Sequence, residues 1–434
     1  MSESPTTNTI TGNPRTDWFV HSRFGLFIHW GLYAIPARGE WVQNRERIPA
    51  SQYQRYFDRF CPDLYDPREW ASAARDAGME YMVVTTKHHD GFCIWDTEYT
   101  EFKATRAPWG KDLLLPLVEA FREKGLKVGF YYSLLDWNHP DFPVDRHHPQ
   151  RDDEGFRAAA KGRDVCRYSQ FMRDQVSELL TRYGPVDIMW FDFSYPGEDG
   201  KGRDEWESER LVKLVRKLQP QALINNRLDL PETADFVTPE QFQPDSIPRD
   251  ENGQPVLWEG CQTFSGAWGY HRDEQSWKSV RQLLVMLIDS VSKNGNILLN
   301  VGPTARGEFD WRASERLAGI GAWMRHHERS IRGCGPAPDG LAPPEDTRYT
   351  YNPENNRLYV HLIHWPFKHL HLPGLAGKAH FAQLLHDGSE ILTRTEESAV
   401  HTALNAPSPK GALTLELPTL KPKVEIPVIE IFLG

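Results

Sequence analysis

The stretch "YMVVTTKHHDGF", residues 81–92, passes from a continuous run of apolar and β-branched residues to two adjacent histidines and an Asp-Gly turn. An uninterrupted run of this kind, bounded by turn residues, is typical of a strand that is buried on both faces, as in a parallel sheet covered by helices. The segment therefore predicts a buried parallel strand that carries His88 and His89 at its carboxyl end.

The same pattern recurs on both sides of this segment. Apolar runs that close on polar residues are "FGLFIHW" (24–30), "KVGFYYS" (127–133), "DIMWFD" (187–192), "ALINNR" (222–227), "DFVTPE" (235–240) and "GNILLNVG" (295–302). Segments of helical period lie between most of them, which favours an α/β fold of alternating strands and helices.

Two architectures share this alternation, the (β/α)8 barrel and the open, doubly wound sheet. A nucleotide-binding doubly wound sheet is expected to show a G-x-G-x-x-G turn after its first strand. The first run here continues as "FIHWGLYAIP" instead, without that motif. We therefore predict a catalytic (β/α)8-like barrel over residues 15–335.

The carboxyl-terminal part of the chain has a different pattern. "RYTYNPENNRLYVHLIHW" and "VEIPVIEIFLG" alternate apolar and polar residues between Pro, Gly and Asn, after a Pro-rich linker at 333–346. Such alternation is typical of antiparallel strands with one buried face. We predict a small antiparallel β-sandwich over residues 345–434.

Composition excludes some classes of partner. The chain of 434 residues has a formal net charge of −10 and a pI near 6.0, so no basic surface is expected to bind nucleic acid. We find no apolar run of membrane-spanning length and no signal-peptide pattern at the amino terminus, and five cysteines occur singly. These features predict a protein without a membrane partner, in the cytoplasm; they say nothing about its oligomeric state.

Active sites of barrels lie at the carboxyl ends of the strands, so the polar residues that close each run are the candidates. They are His29, His88, His89, Tyr132, Asp192, Arg227, Glu240 and Asn300. Two of them are carboxylates, the pair that glycoside hydrolysis requires. Strand alternation places Asp192 on the same face as Trp190 and Ile188, and that face is expected to point into the barrel mouth.

Two alternatives stay open at this point. His29, His88, His89 and Asp192 also suit a metal-dependent barrel hydrolase, although strand-borne metal histidines usually alternate as H-x-H. His88 and His89 are adjacent and are expected to diverge in an extended chain, and the only H-x-H, His369 with His371, lies in the carboxyl-terminal region. The second alternative is a carbohydrate-binding barrel without catalytic activity.

Taken together, seven segments resemble the α-L-fucosidases of glycoside hydrolase family 29 over roughly residues 15–330. They are "RFGLFIHWGLYAIPARGEW", "YMVVTTKHHDGFCIWDTEYTEF", "GKDLL", "KVGFYYSLLDW", "GPVDIMWFD", "WEGCQTFSGAWGY" and "VSKNGNILLNVGPTARG". The resemblance implies a (β/α)8-like barrel, a carboxyl-terminal sandwich and a retaining, exo-acting double displacement on terminal α-L-fucose of oligosaccharides or glycoconjugates. It implies no metal and no organic cofactor.

The resemblance also implies roles for single residues. Asp192 takes the place of the nucleophile and Glu240 that of the general acid/base, with Glu259 as a rival and Glu40 as a more distant one. The implied sugar contacts are His29, Glu40, Trp41, His88, His89, Tyr132, Trp190 and Arg227. In this interpretation the paired histidines bind ring hydroxyls and a tryptophan faces the C6 methyl. Asp192 and Glu240 are separated by few positions along the sequence, and this short spacing favours the subgroup that acts on α-1,3/1,4-linked fucose.

Overall fold

The computed structural model describes residues 13–395 and 408–434. Residues 1–12 and 396–407 lie outside the described residues. The first range belongs to the amino terminus, where we predict no signal peptide, and the second belongs to the predicted sandwich. The barrel strands are β1 (Phe24–Ile28), β2 (Tyr81–Lys87), β3 (Lys127–Ser133), β4 (Ile188–Asp192), β5 (Leu223–Ile224), β6 (Trp258–Thr263) and β7 (Gly295–Val301). They form one parallel sheet in the order β5-β4-β3-β2-β1-β7-β6.

Helices connect and cover these strands. They are α1 (Pro14–Ser22), α2 (Val42–Arg45), α3 (Ala50–Phe57), α4 (Pro67–Asp76), α5 (Leu114–Glu123), α6 (Glu154–Ala159), α7 (Val165–Arg182), α8 (Ser208–Leu218), α9 (Val280–Ser292) and α10 (Trp311–His327). Short 3-10 turns lie at Leu32–Ala34, Pro231–Thr233 and Glu328–Ser330. No helix in the described part of the chain combines the length and the apolar character needed to cross a bilayer.

An irregular segment lies between the two edge strands of the barrel sheet. Isolated parallel bridges pair Phe236 with Asn225 beyond β5, and Val237 and Glu240 with residues of β6. The sequence predicts a strand at 235–240, but a regular ladder does not form because Pro239 has no N–H to donate. This segment nevertheless brings Glu240 to the same barrel edge as the other strand ends.

Consecutive side chains of the barrel strands alternate between two cores. Tyr131 and Trp190 pack inside the barrel with Phe27, whereas Tyr132 and Phe191 belong to the core between the sheet and the helices. This is the ordinary two-residue period of a strand. It decides which of two neighbouring tyrosines can reach the mouth of the barrel.

The carboxyl-terminal strands form two antiparallel sheets. They are β8 (Thr347–Asn352), β9 (Arg357–Leu362), β10 (His369–Pro373), β11 (Ala379–Leu384), β12 (Leu392–Arg394), β13 (Ala412–Glu416) and β14 (Val428–Leu433), ordered β10-β13-β12 and β11-β14-β9-β8. Leu358 and Ile431 from one sheet and Leu372 and Leu415 from the other share a single apolar core. The predicted fold class, a (β/α)8-like barrel followed by antiparallel sheets, is confirmed.

Buried histidines lie where α10 meets the carboxyl-terminal sheets. His327 stacks on Trp323 with ring centroids 4.6 Å apart, and His361 on β9 contacts the hydroxyl of Thr350 at 2.9 Å. His327 Nε2 and His361 Nδ1 are buried and have no hydrogen-bond partner among the described residues. Burial lowers the pKa of His327 to about 4 and that of His361 to about 3, so both rings are neutral in the folded protein.

We expect the stability to fall as the pH drops below the ordinary histidine value. In the unfolded chain His361 takes up a proton near the ordinary histidine pKa of 6.5, but in the folded chain it does so only near about 3. The unfolded state therefore binds more protons between these values, at a cost of about 2 kcal/mol for this residue near pH 5. Urea titrations at about pH 7.5 and about pH 5 measure the difference.

His361→Gln is the test variant, because the glutamine amide can still donate to the Thr350 hydroxyl. The variant is expected to lose less stability on acidification than the unaltered chain. His364→Gln, at an exposed position of the same region, is the matched control and is expected to keep the original pH dependence. Parallel stability curves for all three proteins would contradict this account of His361.

Candidate active site

A cavity of about 70 Å³ opens at the carboxyl ends of the barrel strands. Its walls come from nearly every strand end of the barrel. They consist of Phe27, His29, Glu40, Trp41, His88, His89, Tyr131, Trp190, Asp192, Phe193, Arg227, Glu240, Cys261 and Trp268. Nine residues predicted from the sequence thus meet in one place, namely His29, Glu40, Trp41, His88, His89, Trp190, Asp192, Arg227 and Glu240.

One guanidinium joins the two candidate catalytic carboxylates. Arg227 donates through Nη1 to Asp192 at 2.8 Å and through Nη2 to Glu240 at 2.7 Å. Its Nε donates to Thr238 Oγ1 at 3.0 Å, and its Cζ lies 4.7 Å from the centre of the Trp190 ring. Burial alone lowers the pKa of Arg227, but the nearby carboxylates outweigh it and the pKa is raised.

The two carboxylates differ in their surroundings. Asp192 ends β4 and is largely buried, with a second hydrogen bond from the Tyr131 hydroxyl at 2.7 Å. Glu240 lies at the rim, where 41% of its side chain is exposed to solvent. The inner carboxylate is held by two donors, whereas the outer one is held by Arg227 and remains open to water.

The paired histidines both line the cavity, contrary to the expectation that adjacent residues diverge. β2 ends at Lys87, so His88 and His89 lie in the following turn, where strand alternation no longer applies. Their ring centroids are 4.0 Å apart. Together with His29, which follows β1, they form one wall of buried imidazoles.

Hydrogen bonds behind this wall fix the tautomers of two rings. The Asn300 amide donates to the Trp268 carbonyl, so its oxygen accepts from His29 Nδ1 at 2.6 Å. Ser133 donates to the Leu135 carbonyl, so its oxygen accepts from His89 Nδ1 at 2.7 Å. In neutral rings Nε2 is then the acceptor for both residues.

Burial keeps these histidines neutral. It lowers the pKa of His29 to about 3 and the pKa values of His88 and His89 well below the ordinary histidine value. His88 Nδ1 is buried without a hydrogen-bond partner among the described residues. The wall therefore offers unprotonated ring nitrogens, which suit the hydroxyl groups of a polyol.

The prediction that Tyr132 contacts the ligand is wrong. The Tyr132 ring points into the core between the sheet and the helices, and its hydroxyl donates to Gln175 Oε1 on α7 at 2.8 Å. Tyr131, which the sequence pattern did not single out, lines the cavity and bonds to Asp192. A continuously apolar strand shows no alternation, so the sequence contains no signal that separates the two tyrosines.

Glu259, the rival for the acid/base role, does not line the cavity. It lies on β6 inside the barrel, where it accepts from the Tyr81 hydroxyl at 2.5 Å and from Trp190 Nε1 at 3.1 Å. Burial raises the pKa of Glu259 to about 7. Asn300 also stays behind the wall, as the partner of His29.

Glu40, the more distant rival, does reach the cavity. Its carboxylate accepts from the backbone N–H of Gly269 at 2.8 Å, and burial raises its pKa. Further wall residues that the sequence pattern did not single out are Phe27, Phe193, Cys261 and Trp268. Trp268 occurs in the quoted segment "WEGCQTFSGAWGY", but nothing in that segment distinguishes it from a core tryptophan.

The alternative of a metal-dependent hydrolase requires a cluster of ligand side chains. Over residues 13–395 and 408–434, no group of three or more His, Cys, Asp or Glu side chains is arranged to hold a metal ion. The H-x-H pair of β10 has separate neighbours, since His369 contacts Arg394 and His371 contacts Thr414.

Known proteins with similar sequences and folds match most of this chain. The family model described as alpha-L-fucosidase matches residues 2–329. Human plasma alpha-L-fucosidase is 26% identical over 393 residues, which cover 83% of this chain and 79% of the human protein.

Two solved structures extend the comparison. Alpha-L-fucosidase isoenzyme 1 from Paenibacillus thiaminolyticus is 46% identical, with a TM-score of 0.89 over 97% of this chain and 99% of that one. A family 29 alpha-L-fucosidase from Bacteroides thetaiotaomicron, a trapped covalent intermediate in complex with 2-fluoro-fucosyl fluoride, is 27% identical, with a TM-score of 0.82 over 100% and 98% of the two chains. The chain belongs to the α-L-fucosidases of glycoside hydrolase family 29 and is a glycoside hydrolase.

Proposed function

We propose that the protein is an exo-acting, retaining α-L-fucosidase that releases terminal α-L-fucose from fucosylated oligosaccharides or glycoconjugates. The observation that carries this proposal is the shared guanidinium of Arg227, which holds Asp192 and Glu240 at one small cavity. A retaining mechanism needs two carboxylates close enough for one to attack the sugar and the other to serve the leaving group. The relative trapped as a covalent intermediate supports this route.

Asp192 is the proposed nucleophile. Its two hydrogen bonds, from Tyr131 and Arg227, fix the carboxylate at the end of β4. Attack on the anomeric carbon forms a fucosyl ester, and the leaving-group oxygen takes a proton from Glu240. Water then hydrolyses the ester with Glu240 as the base, so two inversions give net retention.

Arg227 offers a means of switching Glu240 between acid and base. Before attack its positive charge interacts with both carboxylates. Ester formation removes the charge of Asp192, and the guanidinium then interacts with Glu240 as its only charged partner in this group. The attraction between Arg227 and Glu240 is therefore least offset at the step where a base is needed.

The histidine wall and the aromatic side chains supply recognition of a 6-deoxy sugar. His29 and His89 present acceptor nitrogens for ring hydroxyls, and Trp190 and Trp41 offer apolar surface for the C6 methyl. A hydroxyl at C6 would place a polar group against that surface without a partner, at a cost of about 1–3 kcal/mol. We extend the proposal to α-1,3/1,4-linked fucose. The support for this linkage is the short spacing of Asp192 and Glu240 along the sequence.

Asp192→Ala is expected to lower kcat at least about a thousandfold, because covalent catalysis is lost while the cavity remains. Added azide is expected to restore part of the rate by entering the space of the missing carboxylate and to give the fucosyl azide of inverted configuration. Proton NMR of the first product of the unaltered enzyme should show α-L-fucose. Near-normal turnover of the variant would remove Asp192 from the nucleophile's role.

Glu240→Ala is expected to cleave a dinitrophenyl fucoside almost as fast as the unaltered enzyme, because this leaving group departs without a proton. The same variant is expected to lose far more activity on a fucosylated disaccharide, whose leaving group needs the proton. Glu259→Gln is the matched comparison, because Glu259 touches Trp190 and not the cavity. The Glu259→Gln variant is expected to lose a similar fraction of its activity on both substrates. If only the Glu259 variant showed leaving-group dependence, the acid/base role would belong to Glu259.

His89→Ala is expected to lower kcat/KM about 10- to 100-fold, with effects on both kcat and KM, because hydroxyl contacts strengthen as the sugar flattens. His139→Ala, at a partly buried histidine that does not line the cavity, is the control and should change neither constant by as much. Active-site titration with a slow fucosyl fluoride corrects for any inactive fraction. Unaltered constants per active site would make the role of His89 purely structural.

A further inference from the structure

The proposed acid/base, Glu240, lies outside the regular strands of the barrel. It belongs to the irregular segment between β5 and β6, and its side chain is at the solvent-exposed rim of the cavity. A long side chain at a rim has many rotamers, so its position depends on how firmly the backbone beneath it is held. The contacts on both sides of Glu240 therefore bear on how well its carboxylate is placed.

Backbone hydrogen bonds to a single residue of β6 hold the chain on either side of Glu240. The N–H of Cys261 donates to the Pro239 carbonyl at 3.0 Å, and the N–H of Gln241 donates to the Cys261 carbonyl at 3.1 Å. Glu240 is thus paired with Cys261 in a parallel bridge. The second of these bonds depends on the conformation of Gln241.

The chain turns directly after Glu240. Gln241 has a φ of 60°, a left-handed conformation that residues with a Cβ atom seldom adopt. The turn takes the chain out of the direction of β6, and the next residue, Phe242, is exposed to solvent. A conformation of this kind persists only where neighbouring contacts hold it.

The side chain of Gln241 supplies such a contact. The Thr263 hydroxyl donates to the Ser265 carbonyl, so its oxygen accepts from Gln241 Nε2 at 3.0 Å. Thr263 is the last residue of β6 and is completely buried. The hydrogen bond therefore ties the left-handed residue to the fixed end of a barrel strand.

The segment is also anchored before Glu240, from the side of β5. Arg227 Nε donates to Thr238 Oγ1 at 3.0 Å, and the N–H of Thr238 donates to Asn226 Oδ1 at 3.1 Å. Arg227 thus contacts both the Glu240 carboxylate and the chain that precedes it. Gln241 provides the corresponding anchor on the other side of Glu240, toward β6.

We infer that Gln241 is a positioning residue for the acid/base, and that its hydrogen bond to Thr263 keeps the Glu240 carboxylate at the place from which it protonates the leaving group. Gln241 and Thr263 lie outside the walls of the cavity, so they act through Glu240 and not on the sugar. The inference rests on the proposed function, since it concerns the step in which Glu240 donates a proton.

The test measures the ratio of kcat/KM for a fucosylated disaccharide to kcat/KM for a dinitrophenyl fucoside. Cleavage of the disaccharide needs a proton, whereas dinitrophenolate departs without one. Gln241→Ala is expected to lower this ratio about 5- to 20-fold, because a misplaced acid slows only the step that needs it. A general loss of folded protein lowers both constants together and leaves the ratio unchanged.

Variants of Thr263 test the same hydrogen bond from its other end. Thr263→Val removes the acceptor at a similar side-chain shape and is expected to lower the ratio as Gln241→Ala does. Thr263→Ser keeps the hydroxyl and is expected to keep the original ratio. The double variant Gln241→Ala/Thr263→Val should fall little further than either single variant, since both remove one interaction.

Gln243→Ala is the matched control. Gln243 lies two residues beyond Gln241, and its amide donates to the Met286 carbonyl at 2.8 Å and accepts from Ser290 Oγ at 3.2 Å. Both partners belong to α9, so these bonds fix the same segment to a helix and not to the end of β6. The ratio is expected to stay unchanged in this variant.

An unchanged ratio in Gln241→Ala or in Thr263→Val, beside a lowered ratio in Glu240→Ala, would overturn the inference and leave the proposed function standing. An equal fall in Gln243→Ala would also overturn it, because the effect would then belong to the whole segment. If Glu240→Ala did not lower the ratio, the acid/base assignment would fail together with this inference. If the unaltered protein cleaved neither substrate, the proposed function itself would fail.

Discussion

Each barrel strand sends alternate side chains into the barrel and outward toward the helices, and the aromatic floor of the active site, formed by Tyr131 and Trp190, depends on this alternation. Tyr131 and Trp190 face inward from neighbouring strands and stack with their ring centroids 5.7 Å apart. Their inward position brings the Tyr131 hydroxyl to Asp192 and the Trp190 ring beneath Arg227. A shift of one residue in β3 would turn the Tyr131 side chain toward the helix layer and remove one of the two donors to Asp192.

The charged groups of the site lie next to this aromatic floor, since the Arg227 guanidinium that pairs with both carboxylates lies over the Trp190 ring. Removing both partners of a buried ion pair is often tolerated, whereas removing one leaves an uncompensated charge that costs about 3–5 kcal/mol. Arg227 is the common partner of an inner and an outer carboxylate, so a change of charge at Asp192 changes the electrostatic environment of Glu240. In the proposed mechanism, this coupling is what allows Glu240 to donate a proton in the first step and to accept one in the second.

The sequence predicts the regular parts of this arrangement because they follow from local pattern. β2 and β7 are unbroken buried runs, and their bounds agree with the predicted strands to within one residue. β6 escaped prediction because Glu259 interrupts its apolar pattern, although the charge is accommodated by Tyr81 and Trp190 inside the barrel. Tyr131 was not predicted as a cavity residue. Whether Tyr131 or Tyr132 faces the cavity depends on the pairing register with β4, a long-range feature that the local sequence does not encode.

Glu259 shows how a buried acid can serve a site that it does not enter. Its carboxyl group accepts from Trp190 Nε1 and so fixes the orientation of the indole whose face carries the Arg227 guanidinium. With a pKa raised to about 7, the group is close to the boundary between its neutral and charged forms near neutral pH. The charged form binds the indole N–H more strongly than the neutral form. Glu259 thus supports the site indirectly, through the hydrogen bond that orients the Trp190 ring under Arg227.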